Sequence, residues 1–260
     1  MSKFDYLTLL VGEDILLKEF NLILHQPRIR DISIIGEEKF FKMLSFLFIE
    51  KENIINVLSE KKDRAEVEAV YKDLTDYEIF YSTAASDKQQ EGEISIREGA
   101  TQIFMLLFPD YHISFEENGI FYSDKDNNYR IISKHDYNIL RDQIKEVLCL
   151  DGLGGEEDYN PADDRAREIA EKLKARKKRL AKDKGKKKDM IANYVSSLSI
   201  ALPNSSINYV SSLTLFQLYD QLKRYGAYKD SELRLQAHMA GAKDVEQKDW
   251  LGPLENNRLL

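Results

Sequence analysis

The chain has 260 residues, of which 43% are hydrophobic and 32% charged, with one cysteine, five prolines and a net charge of −7. That balance excludes a disulfide-stapled scaffold and a Pro-rich linker protein, and it fits a soluble globular chain long enough for more than one folding unit. No apolar run approaches the roughly 18–20 residues that cross a bilayer, so no membrane partner is expected.

The opening MSKFDYLTLLVGED carries an early Asp5 and no small-residue cleavage site, which argues against a signal peptide. Together with a lone cysteine, it fits a reducing compartment. YLTLLV, DILL and FNLIL read as two or three short strands within the first 25 residues, with Gly12 between the first two. Pro27 then opens a helix. Ile29, Ile32 and Ile35 share one helical face, and after Gly36 the spacing continues through Phe40, Phe41, Leu44, Leu47 and Phe48. Residues 51–82 predict one or two amphipathic helices, with Val67, Val70, Tyr71, Leu74 and Tyr77 on one stripe.

SDKQQEGE (86–93) reads as a polar loop. Ser95 with Glu98 is spaced to cap a helix running to Leu107. ISF, GIFYS and YRIIS read as strands, the last two joined by a DKDNN hairpin loop. A helix is expected from His135 to Leu150, with Ile139, Ile144, Val147 and Leu148 facing inward. Cys149, in EVLCL, reads as a buried small hydrophobe. The fold class expected is α+β: an N-terminal mixed domain over 1–150, with a small antiparallel sheet and several helices.

An acidic, Gly-rich linker follows at 151–159, and then a long charged helix at 160–188. Asn160 suits its N-cap and Pro161 its first position, with Asp163 and Asp164 in the first turn. Ala162, Ala166, Ile169, Leu173 and Leu180 form one narrow apolar seam. Residues 174–188 hold ten bases and one acid, inside a chain that is acidic overall. Acids early and bases late match the helix macrodipole. No aromatics interleave the bases to stack on a nucleic acid, and the acidic remainder repels phosphate, so nucleic acid is not an expected partner.

The remainder predicts a small all-α unit over 189–245 and a flexible tail over 246–260. DMIANYVSSLSIAL is amphipathic through Ile191, Tyr194, Val195 and Leu198, and NYVSSL recurs at 208–213. LTLFQLYDQLKRYG carries a capping box, Thr214 with Gln217, and a staple, Leu213 with Leu218. Leu215, Leu218, Tyr219, Leu222 and Tyr225 form its face, and Gly226 is read as its end. A further helix, ELRLQAHMAGAK, is small-faced at Ala237, Ala240, Gly241 and Ala242. Trp250, the single tryptophan, suits either a partner or packing on its own unit.

Motifs for chemistry are missing from the sequence. His25, His112, His135 and His238 are isolated, and there is no HExxH and no Gx[SC]xG elbow. GLGG lacks the GK[ST] of a phosphate loop. Asp124, Asp126 and Asn128 open like a calcium loop, but Tyr129 stands where Gly is required and His135 where Glu is required. Neither enzyme activity nor a cofactor or metal is expected.

Three stretches carry a resemblance: HQPRIRDISIIGEEKFF, NPADDRAREIAEKLKARKKRLA, and LTLFQLYDQLKRY followed by AGAK and Trp250. In order and spacing they resemble the tail assembly chaperones of long-tailed bacteriophages and related prophage elements. The resemblance implies a non-enzymatic protein of the host cytoplasm, absent from the mature virion. Such a protein coats the tape measure protein, recruits tail tube protein and self-associates in many copies. The residues then expected to bind partners are Ile169, Leu173, Leu180, Leu215, Leu218, Tyr219, Leu222, Tyr225 and Trp250. The alternatives are a structural component retained in the virion, such as a tube-completion or baseplate protein, and a nucleic-acid adaptor using 174–188.

Overall fold

A computed structural model describes residues 4–59, 63–86, 94–150, 190–202, 206–241 and 250. The linker at 151–159, the seam residues Ile169, Leu173 and Leu180, and the basic block lie outside the described residues. The fold is α+β, and the chain divides into two compact units. The first is Met1–Cys149 together with Ser211–Gln217; the second is Leu150–Val210 together with Leu218–Leu260.

The first unit opens with a helix where a strand was expected: α1 spans Tyr6–Val11. Its apolar residues are strand-like in type, but the caps decide the conformation. The Asp5 carboxylate accepts from the Thr8 amide at 3.3 Å, and Gly12 closes the helix at φ 74°. β1 (Ile15–Leu17) and β2 (Leu22–Leu24) form an antiparallel hairpin with Leu16 opposite Ile23. Ile15, Leu17, Leu22 and Leu24 point inward, while Leu16 and Ile23 stay exposed. α2 (Ile29–Ile35) and α3 (Glu37–Leu47) follow the predicted spacing and bury Ile29, Ile32, Phe40, Met43, Leu44 and Leu47.

Three helices, not one or two, occupy the next stretch: α4 (Lys51–Ser59), α5 (Arg64–Tyr71) and α6 (Asp76–Ser86). Asp63 caps α5 by accepting from the Ala65 amide at 2.8 Å. The predicted stripe is broken accordingly: Val67 and Tyr77 are buried, whereas Val70 and Leu74 are exposed. α7 (Ile96–Leu107) is capped by Ser95 as expected, its hydroxyl accepting from the Glu98 amide at 3.2 Å. α7 lies close on α3: a Cβ at Gly99 would fall 2.6 Å from the Phe46 ring.

β3 (His112–Glu116), β4 (Gly119–Ser123) and β5 (Tyr129–Ser133) form one antiparallel sheet in the order β3-β4-β5. The DKDNN loop is held by Asp124, whose carboxylate accepts from the amides of Asp126 and Asn128 and from the Asn128 side chain. Those bonds hold its acid below the ordinary carboxylate range, the Asn128 side chain contributing most. The residues that mimic a calcium loop are thus occupied in making a turn. α8 (Tyr137–Val147) buries Tyr137, Leu140, Ile144 and Val147, and Leu148 after it is buried as expected. Ile139 instead faces solvent, because the inward face of α8 is set by the 137–140–144–147 spacing. Cys149 is only half-buried, in a left-handed turn at φ 53° just past the helix end.

An aromatic cluster joins α6, α7, α8 and the sheet. Tyr77 meets Tyr137 edge-on at 5.2 Å, Phe80 meets Phe115 at 5.3 Å, and Phe104 meets Phe115 at 5.2 Å. The Tyr77 hydroxyl is shared between the carbonyls of Glu116 and Gly119, and the Tyr137 hydroxyl donates to the Leu47 carbonyl. Burial pushes both phenols well above their ordinary range. Beside them Arg141 is buried to 4% side-chain exposure, with the Glu50 and Asp76 carboxylates each at 3.2 Å. Its guanidinium lies over the Phe48 and Tyr137 rings.

In the second unit α9 spans Met190–Ala201 and buries Ile191 and Leu198, with Tyr194 and Val195 half-buried. α10 spans Ile207–Ser211 and buries Val210. α11 runs unbroken from Leu215 to Met239, about 37 Å. Gly226 therefore does not end a helix, and ELRLQAHM belongs to the same one. An exposed helical glycine costs only about 1 kcal/mol, which 25 residues of otherwise good helix formers outweigh. Tyr194 packs edge-on against Tyr219 at 6.0 Å, and the Gln221 amide donates to the Tyr209 hydroxyl at 2.9 Å.

Candidate functional site

Two of the stretches singled out in the sequence meet in space. Arg28, in HQPRIRD, forms an antiparallel bridge with Thr214, the second residue of LTLFQLYDQLKRY. Its guanidinium donates to the Ser212 carbonyl at 2.6 Å, and the Ile29 amide donates to the Leu213 carbonyl at 2.9 Å. Thr214 and Gln217 make the predicted capping box reciprocally, at 2.9 and 3.2 Å. The Gln217 amide then reaches the carbonyls of Leu10 and Val11, at 2.8 and 3.1 Å. These two carbonyls belong to the open end of α1, so Gln217 satisfies acceptors that the helix itself leaves free. Leu213, Thr214, Leu215 and Phe216 are all buried, and Phe216 meets Tyr6 edge-on at 5.7 Å. Residues 211–217 are in effect a plug in the N-terminal unit, seated on α1 and the start of α2.

Beyond Tyr219 and Asp220 the character of α11 changes. Leu222 and Tyr225 are half-buried. Tyr228, Leu235 and Met239 are exposed and share one face at spacings of seven and four. Met239 is 79% exposed, and Leu233, on another face, is 63% exposed. Trp250 packs edge-on against Tyr228 at 5.3 Å and stays 37% exposed. The exposed turns are held by the ion pairs Lys229–Glu232 at 2.7 Å and Arg234–Asp230 at 2.8 Å.

The residues expected to bind partners therefore separate. Leu215, Leu218 and Tyr219 are buried within the fold, Leu222 and Tyr225 are at its margin, and Trp250 is at the surface. Sequence reasoning missed Tyr228, Leu235 and Met239. The signal was their helical spacing, hidden by reading a helix end at Gly226.

Elsewhere the first unit holds an open groove of about 570 Å³ lined by Glu19, Tyr122, Arg130, Asp136 and Ile139, among others. Its charges are engaged internally: Arg130 reaches the Asn21 carbonyl at 3.4 Å, and Glu19 accepts from the Gln143 amide at 3.0 Å. His25 meets Asp14 at 2.8 Å, while His112, His135 and His238 are exposed. Among the described residues no three His, Cys, Asp or Glu side chains are grouped to hold a metal ion, and no helix is long and apolar enough to cross a membrane.

Residues 184–255 match the family model of the YomV second domain. That family is phage-derived, and the likeness extends over the C-terminal part of the chain. The match takes in all of α9, α10 and α11, the plug included. No curated protein and no solved structure matches the chain.

Proposed function

We propose that the chain is a phage tail assembly chaperone, a non-enzymatic protein that binds the tape measure protein, keeps it soluble and brings tail tube protein to it. The observation that carries this reading is the exposed apolar stripe Tyr228, Leu235 and Met239 on α11, inside the phage-related region. An amphipathic helix with anchors at i, i+7 and i+11, the first touched only edge-on by Trp250 among the described residues and the other two exposed, is the form of surface that takes up another helix. The resemblance of HQPRIRDISIIGEEKFF and of the Trp250-containing C-terminal stretch supports the same reading. The spacing of Ile169, Leu173 and Leu180 in the sequence, outside the described residues, fits the same reading, and the acidic remainder of the chain would keep a multi-copy assembly dispersed in the host cytoplasm.

The test is co-expression of the full chain with the large helical tail protein encoded beside it. Nuclease-resistant copurification with improved solubility of the partner is expected, and Leu235→Ser with Met239→Ser weakens it while leaving the circular dichroism unchanged. Absence of the chain from purified particles by mass spectrometry separates a chaperone from a retained component. Failure to copurify, with the chain present in particles, sinks the reading.

A further inference from the structure

The two edges of the three-stranded sheet differ. On β3 the outward carbonyl of Phe115 accepts from the Arg97 guanidinium of α7 at 3.5 Å. On β5 the outward groups are open. The Lys134 amide donates to the Asn118 carbonyl, in line with the β4–β5 register, so Ile120 with Ile132 and Tyr122 with Arg130 are the hydrogen-bonded pairs. The main-chain N–H and C=O of Tyr129 and Ile131 therefore point away from β4. Among the described residues no bond reaches them, whereas the Ser133 carbonyl is taken by the Asp136 amide at 3.0 Å. No proline or bulge blunts this edge. Its one charge, Arg130, is turned to the Asn21 carbonyl at 3.4 Å. Arg130 and Ile131 are neighbours whose side chains leave opposite faces of the strand, and both line the open groove of about 570 Å³, so the groove runs along the edge itself. Phe20, Tyr122 and Ile139 make it apolar, and the Tyr122 hydroxyl fixes the wall by donating to the Phe20 carbonyl. Glu19 and Asp136 give it two carboxylates against one guanidinium.

We propose that the β5 edge docks an extended segment of another protein, which adds as an antiparallel strand and places apolar and basic side chains in the groove. The main chain of Tyr129 and Ile131 supplies the ladder, and the groove takes the alternate side chains that the incoming strand turns toward it. Phe20, Tyr122 and Ile139 suit an apolar side chain there. Glu19 and Asp136 select lysine or arginine over an acid, because the single cation of the lining already serves Asn21. A second copy of β5 is the poorer occupant. The antiparallel register that pairs Tyr129 of each copy with Ile131 of the other sets the two Arg130 side chains directly opposite. They would meet at the close, non-hydrogen-bonded position, where like charges repel. The surface belongs wholly to the first unit, and its test does not involve the α11 stripe.

The test titrates the full chain with a short labelled peptide in which leucines and a lysine alternate with threonines. Saturable binding by fluorescence anisotropy is expected, with shifts of the Tyr129 and Ile131 amide resonances. Residues opposite Tyr129 and Ile131 turn their amides to β5, and these are the threonines when the leucines enter the groove. N-methylation of the threonine amides should weaken binding by about ten-fold or more, and N-methylation of the leucine amides should leave it unchanged. Glutamate in place of the lysine should also weaken it. Ile131→Pro removes an outward N–H without touching the bonds to β4, so it should abolish binding with the circular dichroism intact. No binding of the lysine peptide overturns the proposal, as does binding indifferent to threonine N-methylation or equal for the glutamate peptide. Protection of the Ile131 amide that rises with protein concentration in the absence of peptide also overturns it, in favour of a second copy.

Discussion

Gly12 sits directly beneath Gln217: a Cβ there would fall 2.6 Å from the Gln217 amide nitrogen and 3.1 Å from the Thr214 methyl. The position also has φ 74°, which an L side chain adopts at a cost of about 1 kcal/mol or more. Gly12→Ala is therefore expected to destabilise the full chain by about 2 kcal/mol in urea denaturation, through strain and through weakened Gln217 bonds. In a Gln217→Ala background the same substitution costs less, because the clash is gone. Strictly additive losses would show that the two residues do not meet.

Arg141 anchors α8 to the carboxylates of Glu50 and Asp76 under a roof of two aromatic rings. Arg141→Ala leaves Asp76 partly buried without its cation and removes the stem that fills the space. The expected loss is about 3–5 kcal/mol, read as a lower midpoint in thermal or denaturant unfolding. Arg141→Met, which keeps the volume, recovers part of the loss.

Glu78 ties α6 to the strand β5 turn through Lys134 at 2.5 Å, and it accepts from both the amide and the hydroxyl of Thr75. The Lys134 ammonium first, and then Thr75, hold its acid down to about 2 from an ordinary 4.5. A depressed folded-state pKa contributes stability that is present above the unfolded value and lost as pH falls through the folded one. Unfolding midpoints should therefore drop between about pH 4.5 and pH 2, and Glu78→Gln should flatten that slope while lowering stability at neutral pH.

Trp250 is the single tryptophan of the chain and packs edge-on against the Tyr228 ring. Tyr228→Ala removes that ring and should move the tryptophan emission to longer wavelength. Capture of another helix by the Tyr228, Leu235 and Met239 stripe should move it the opposite way. An emission maximum indifferent to Tyr228→Ala would separate the two rings in solution.

Local signals made much of this architecture legible. Ser95 with Glu98 and Thr214 with Gln217 announced two helix starts, and the short apolar runs before and after DKDNN announced three strands. α1 was misread because Leu, Thr and Val suit both helix and strand; the spacing of Asp5 and Gly12 as paired caps was the available correction. Val70 and Leu74 were misplaced because a single stripe was drawn across two helices and the turn between them. The plug was not legible at all. Its contacts span some of the longest separations in the chain, and no periodicity or cap in residues 211–217 points to Leu10 or Arg28. Of the residues of α11 that the sequence offered for a partner, Leu215, Leu218 and Tyr219 are buried within the fold, Tyr219 against Tyr194 of α9, because burial on a tertiary neighbour is not written in the helical spacing.

A unit that closes only with residues 211–217 imposes an order on synthesis. When Cys149 leaves the ribosome, the seat on α1 and α2 is built but empty, and it stays so until Gln217 has emerged. At roughly 5–20 residues per second that interval lasts on the order of several seconds. Throughout it, the nascent chain displays the apolar surface that Leu213, Leu215 and Phe216 later cover.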